Sequence, residues 1–268
     1  MAVLGAAVPR RSTDQFDAVA MTHGPERSLL LPVLVIGAWV VIGAAQATGT
    51  AALLHHHALI EAGPPLWLAI PAFLVAWQVM VMAMMLPASL PTIRVVGAIA
   101  GRHAHARYAR VGFLAGFAPI WAAFGLLAFL GDLVLHHVVD ATPWLATRSF
   151  LIEAGILAIA GAWQFTPAKR RNLLACRDPH ELAAAAAPEV RGQARLGFRH
   201  GLTCLGSSWA LMLLMFGEGF ANLWWMVALT ALMVYETTGR RGQRAASAAG
   251  AVLLIAAWTA VVLPGSIA

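Results

Sequence analysis

Residues 66–88 read LWLAIPAFLVAWQVMVMAMMLPA and contain no charged side chain. At about 1.5 Å per residue, a helix of this length crosses the hydrocarbon core of a bilayer, roughly 30 Å thick. Further apolar stretches of spanning length recur along the chain, at 29–52, 111–131, 149–166, 201–217, 220–235 and 245–263. The sequence therefore predicts an all-α protein, a bundle of seven transmembrane helices.

The composition favours lipid over water as the solvent. Of the 268 residues, 60% are hydrophobic and 11% are charged, whereas a soluble domain carries about a quarter charged residues. The formal charge of +6 could indicate nucleic acid. The basic residues stand between apolar stretches and form no continuous stripe, so we expect the lipid bilayer and no nucleic acid as partner.

The arginines and the one lysine predict the orientation, because cytoplasmic connections of membrane proteins are enriched in them. Basic residues precede the first stretch and fill the second, fourth and sixth connections, whereas the odd-numbered connections and the carboxyl tail hold only Arg148. The amino terminus is therefore predicted to be cytoplasmic and the carboxyl terminus to lie outside. A multi-pass protein of the bacterial inner membrane fits this pattern.

The predicted organisation is a single membrane domain over 29–263, between a polar cytoplasmic tail (1–28) and a short carboxyl tail (264–268). The longest connection, 167–199, is predicted to be a partly helical cytoplasmic loop. Lys169 falls in this loop and the last stretch has no lysine, which excludes a retinal protein with a buried Schiff base. Cys176 and Cys204 lie far apart and fit no CxxC or disulfide framework.

Metal-capable side chains collect on the predicted outer side. His55, His56 and His57 follow the first stretch, and His136 and His137 follow the third, beside carboxylates. Imidazole and carboxylate are usual ligands of Zn, Cu and Ni. The pattern indicates either metal capture or a polar collar at the membrane interface.

The second stretch is rich in methionine, whose thioether sulfur suits Cu(I). At 100° per residue, Met80 and Met84 share one helix face with Trp77, whereas Met82 and Met85 point elsewhere. Met80 and Met84 are therefore the candidate ligands on this helix. Adaptable packing between helices is the alternative explanation.

The fifth and sixth stretches each place polar and sulfur-bearing side chains on one face. On the fifth these are His200, Cys204, Ser208, Met212 and Met215, and on the sixth Asn222, Met226, Met233 and Glu236. A hairpin with both stripes facing inward would bring sulfur, imidazole, hydroxyl and carboxylate groups together. Such side chains also turn away from lipid without any metal, so both interpretations remain open.

Three blocks of sequence resemble a bacterial family of predicted metal-binding integral membrane proteins. They are residues 77–87, which match W-x-x-M-x-x-A-M-M-x-P, residues 163–179, and residues 197–236. Many relatives carry cysteines where this chain has Ser207 and Ser208. The resemblance implies a metal site in the membrane that is altered in this member.

We therefore expect an integral membrane protein that binds a soft transition metal, with copper favoured, for handling or delivery to a membrane or periplasmic protein partner. The outer histidines would capture the ion. Met212, Met215 and Met226 would hold it in the outer half, with Met80, Met84, Cys204 and His200 nearer the cytoplasm. The alternatives are a non-enzymatic subunit or assembly factor of a membrane complex, and a membrane redox metalloenzyme.

Overall fold

A computed structural model describes residues 30–50, 59, 64–100, 106–178, 190–218 and 222–263. Within these residues the chain forms nine α-helices and no strand, which confirms the all-α class. The helices are α1 Leu30–Ala47, α2 Leu66–Ala100, α3 Ala106–Asp140, α4 Pro143–Ala146, α5 Phe150–Trp163, α6 Pro167–Arg177, α7 Val190–Glu218, α8 Leu223–Thr238 and α9 Gly242–Val262.

Three of the described helices are long and apolar enough to cross a membrane: Leu66–Gly97 of α2, Tyr108–Asp140 of α3 and Gly242–Val262 of α9. The α5–α6 pair, bent by 63°, counts as a fourth if it is one span. These helices fit the bundle of a membrane protein. Seven spans and the orientation of the termini stay predictions.

Two helices present apolar faces to the surroundings. The exposed side chains follow helical spacing on α1 and α9, and more than half of each is accessible: Val33, Ile36, Val40, Val252, Ile255 and Trp258. Faces of this kind are unfavourable in water and match the apolar interior of a bilayer.

The predicted loop 167–199 is helical in both of its described parts. Thr166 caps α6 by accepting a hydrogen bond from the Lys169 backbone N–H at 3.1 Å, and Pro167 begins the helix. The helix then buries Lys169, Leu173 and Cys176. Within this predicted loop Lys169 is buried rather than exposed, because a carboxylate on α8 pairs with it inside the bundle.

Two glycines allow α3 and α7 to cross in backbone contact. A Cβ atom at Gly116 would overlap the carbonyl oxygen of Ala194, and one at Gly197 would overlap that of Phe113. Small residues at a crossing are what allow two helices of a membrane bundle to approach this closely. This crossing lies one turn before His200 and fixes the position of α7 in the core.

A tryptophan on α1 satisfies a carbonyl that a proline leaves unpaired in α2. Pro87 has no N–H to donate to the carbonyl oxygen of Ala83 four residues earlier. The indole Nε1 of Trp39 donates to that oxygen at 3.1 Å. In an apolar interior an unpaired carbonyl is costly, so this bond secures α1 against α2 beside Pro87.

We expect Trp39→Phe to lower the free energy of unfolding by about 2 kcal/mol, since a buried acceptor loses its donor. In a Pro87→Ala background the Ala83 carbonyl regains a helical partner, so the same substitution should cost about 1 kcal/mol less. Denaturant unfolding in detergent measures both. An equal loss in the two backgrounds would mean that Trp39 acts only through packing.

Candidate metal centre

A small cavity lies between α2, α7 and α8. Its volume is about 10 Å³, comparable with the space that one water molecule needs. The lining residues are Met85, Ala88, Cys204, Ser207, Ser208, Met233, Glu236 and Thr237. Each of the three helices therefore contributes a sulfur-bearing side chain.

The three sulfur groups are held by the helices and by neighbouring hydroxyls. Ser208 Oγ lies 3.7 Å from Met85 Sδ. The Cys204 thiol and Met233 are both buried. A thiol with two thioethers is a soft donor set, which selects Cu(I) over hard cations.

Ser207 and Ser208 of α7 line the cavity. Ser207 Oγ and Ser208 Oγ donate to the carbonyl oxygen of Cys204 at 2.8 Å and 2.7 Å. Ser207 Oγ also lies 4.0 Å from Cys176 Sγ, so the second cysteine of the chain adjoins the site. Both serines line the cavity, at the positions where the sequence resemblance implies cysteine in many relatives.

A buried ion pair closes one side of the cavity. Lys169 Nζ lies 2.6 Å from Glu236 Oε2, and the two side chains are 1% and 2% exposed. Lys169 Nζ also donates to the carbonyl oxygen of Ser207 at 2.6 Å. Glu236 Oε1 has no hydrogen-bond partner in the described part of the chain. The cavity thus adjoins a neutralised pair whose second carboxylate oxygen remains available.

His200 lies one helical turn before Cys204, outside the cavity lining. Its Nε2 is 3.1 Å from Ser89 Oγ, and its ring packs between Phe113 and Phe117, with centroids 5.5 Å and 6.0 Å away. This arrangement makes His200 a neighbour of the sulfur cavity.

Comparison with protein families identifies the chain. Residues 74–260 match the family model PpoB2, described as copper chaperone. The chain belongs to this copper chaperone family. The matched region runs from α2 into α9 and contains every residue that lines the cavity. Neither the curated proteins nor the solved structures give a significant match.

Membership of the copper chaperone family supports the expectation of a copper-related protein. It supports the resemblance to predicted metal-binding membrane proteins as far as the relation to a metal is concerned. A chaperone also implies other proteins as partners. The soft donors of the cavity suit copper as cargo. Which side chains hold it is not decided by the family.

Five predicted methionine ligands are buried in the core of this copper chaperone family member, each at most 1% exposed: Met80, Met84, Met212, Met215 and Met226. The contacts His200–Ser89 and Ser208–Met85 show that α2 and α7 run antiparallel. The methionines of these two helices therefore lie on the same side of the cavity. None of the five lines it, and their role as ligands stays a prediction.

Met85 and Met233 line the cavity but were not among the predicted ligands. Met233 and Glu236 belong to the polar and sulfur-bearing stripe of the sixth stretch, and both are buried. Met85 was assigned to a different helix face from Met80 and Met84. Because α2 packs against α1, α3 and α8, several of its faces are buried, and a helical wheel cannot choose between them.

The outer histidines form no metal site within the described residues. His55, His56 and His57 fall outside them. His136 Nδ1 lies 2.9 Å from the Asp132 carbonyl oxygen and 3.4 Å from Asp132 Oδ2, and His137 is exposed. Across the described ranges, no three His, Cys, Asp or Glu side chains converge on a metal position. The copper interpretation therefore depends on sulfur.

Proposed function

We propose that this chain is a copper chaperone integral to the bacterial inner membrane, which binds Cu(I) at the sulfur-lined cavity and delivers it to a membrane or periplasmic protein. The observation that carries the proposal is the convergence of Met85, Cys204 and Met233 from three helices on one small cavity. Its location within the region matched to the copper chaperone family supports it further.

The charge of the site favours a monovalent ion. Lys169 already neutralises Glu236, so the Cys204 thiolate would be the one uncompensated charge that binding creates. Cu(I) on a thiolate leaves no net charge to bury, whereas Zn²⁺ would leave a positive charge in an apolar interior, which is costly. The two thioether donors also favour Cu(I) over Zn²⁺, because thioether sulfur is a soft ligand.

The proposed topology has seven spans, carried by α1, α2, α3, α5, α7, α8 and α9, with a cytoplasmic amino terminus. Arg94 of α2, Arg199 of α7 and Arg240, just after α8, each lie within about two helical turns of a cavity residue. They support a position of the cavity toward the cytoplasmic side. The five buried methionines then lie on its outer side. In this arrangement the outer histidines of the sequence analysis capture the copper ion. The five buried methionines then line its route to the sulfur cavity.

We expect purified protein without a histidine tag to bind about one Cu(I) per chain under reducing conditions. Replacing Met85 and Met233 by Leu and Cys204 by Ser should weaken Cu(I) binding by roughly 100-fold, since even outer-shell substitutions weaken metal sites by about 10- to 100-fold. Methionine-to-leucine changes conserve volume and should preserve folding. Competition with a Cu(I) chelator gives the affinity.

A matched variant with Met212, Met215 and Met226 changed to Leu separates the cavity from the sequence-predicted ligands. We expect its Cu(I) affinity to stay within about threefold of the unmodified protein. Loss of binding in this variant but not in the cavity variant would move the site to the outer methionines. A protein free of metal after growth in copper would contradict the proposal, and a co-purified visible chromophore would indicate a redox centre instead.

A further inference from the structure

A second, larger cavity lies between α6 and the turn that joins α8 to α9. Its volume is about 610 Å³. The lining residues are Leu174, Arg177, Arg240, Arg241, Gly242, Gln243 and Arg244. Four of these seven are arginines and none is acidic, so the cavity concentrates positive charge.

One arginine is fixed as a wall of this cavity. Arg177 Nη1 donates to the Glu236 carbonyl oxygen and Nη2 to that of Gly239, both at 2.7 Å. A Cβ atom at Gly242 would overlap both the Glu236 carbonyl and the Arg177 guanidinium. The guanidinium thereby covers the carbonyl end of α8 and keeps the turn closed around the cavity.

Arg240 and Arg241 come from the turn itself, and Arg244 comes from the first turn of α9. Arg240, Arg241 and Arg244 are exposed, and together with Arg177 from α6 they surround one space. The preference of cytoplasmic connections for arginine explains their presence. It does not explain their convergence with a residue 63 or more positions earlier in the chain on a cavity free of carboxylates.

We propose that this cavity, the arginine cavity, binds a phosphate-bearing anion, namely the headgroup of an anionic phospholipid. Guanidinium groups match phosphate oxygens in paired hydrogen bonds. Leu174 adds an exposed apolar wall, and α9 leads from the cavity into the exposed apolar residues Val252 and Ile255. A basic cavity at the end of an apolar helix is placed at the depth of lipid headgroups.

The test uses the full chain in detergent and measures retained ligand by native mass spectrometry and by titration. The probes are phosphatidylglycerol, zwitterionic phosphatidylcholine and inorganic phosphate. We expect the unmodified protein to hold one phosphatidylglycerol in preference to phosphatidylcholine. Arg240→Gln, Arg241→Gln and Arg244→Gln together should weaken this binding by roughly 100-fold. Each basic residue near an anionic lipid surface contributes about fivefold to the affinity, and the variant removes three of them. Arg177 stays unchanged because it holds the turn.

The matched control carries Arg191→Gln, Arg195→Gln and Arg199→Gln. These arginines are exposed on α7 and the variant loses the same charge, so its phosphatidylglycerol affinity should change by less than about threefold. Thermal unfolding and Cu(I) stoichiometry verify that both variants are folded. If the triple variant unfolds, Arg244→Gln alone should weaken binding by about fivefold.

The unmodified protein could instead bind inorganic phosphate and retain no phosphatidylglycerol. If the triple variant then loses the phosphate, the arginine cavity is a phosphate site whose ligand is soluble. Two results would overturn the proposal. One is an equal loss of phosphatidylglycerol in the cavity and control variants, which indicates unspecific attraction. The other is a protein that binds neither probe. Because copper content is measured separately, either result leaves the copper proposal unaffected.

Discussion

Lys169→Met should lower the free energy of unfolding by about 3–5 kcal/mol, because it leaves a charged Glu236 buried without its partner. The two side chains are 1% and 2% exposed and their charged atoms are 2.6 Å apart. Lys169→Met combined with Glu236→Leu should recover most of that loss, since an apolar pair of similar volume removes both desolvated charges. Urea or SDS titration of the detergent-solubilised protein measures the series.

Arg170→Met is the control for this prediction. Arg170 is exposed on the same helix, and its loss removes the same charge without a buried partner, so we expect a change within about 0.5 kcal/mol. Effects of Lys169→Met and Glu236→Leu that simply add in the double variant would contradict the prediction. They would mean that the two side chains do not depend on each other for burial.

The ion pair also connects the fold to the copper site. Lys169 Nζ donates to the Ser207 carbonyl, and Glu236 lines the sulfur cavity. The pair therefore holds α6 and α8 against the part of α7 that carries Cys204. Lys169→Met with Glu236→Leu tests this link, because a folded double variant with weakened Cu(I) binding would show that the pair positions the sulfur ligands.

The apolar stretches of the sequence predicted where helices lie, because hydrophobicity accumulates over contiguous residues. Each predicted stretch overlaps a described helix, whereas the boundaries differ where polar residues extend a helix. The stretch 201–217 is the apolar part of α7, which begins at Val190. Burial of Lys169 could not be predicted this way, since its carboxylate partner lies 67 positions later and only the folded chain brings the two together.

The candidate site was partly predictable for the same reason. Cys204 and Ser208 lie on one buried face of α7, and Met233 lies on a buried face of α8. The helical periodicity of the sequence was enough to identify both faces. Met85 was missed because its helix is surrounded by several others and has no unique inner face. The arginine cavity was missed as well. Its arginines indicated orientation in the sequence, and their convergence with Arg177 depends on the turn between α8 and α9.

Gly116→Ala should destabilise the protein by about 3 kcal/mol, because the new Cβ would overlap the Ala194 carbonyl at the α3–α7 crossing and two backbones would have to separate. Gly197→Ala should act alike through the Phe113 carbonyl. Once one substitution has separated the helices, the second meets more space. The double variant should therefore lose clearly less than the sum of the single losses.

Gly131→Ala on the same helix is the matched control. A Cβ atom there meets nothing within 4 Å, so the higher helix propensity of alanine should stabilise the protein by up to about 1 kcal/mol. Opposite signs at Gly116 and Gly131 in thermal or denaturant unfolding would isolate the contact from propensity. If Gly116→Ala were stabilising as well, α3 and α7 could not cross at this pair. His200, one turn beyond Gly197, would then lose the basis for its position between Phe113 and Phe117.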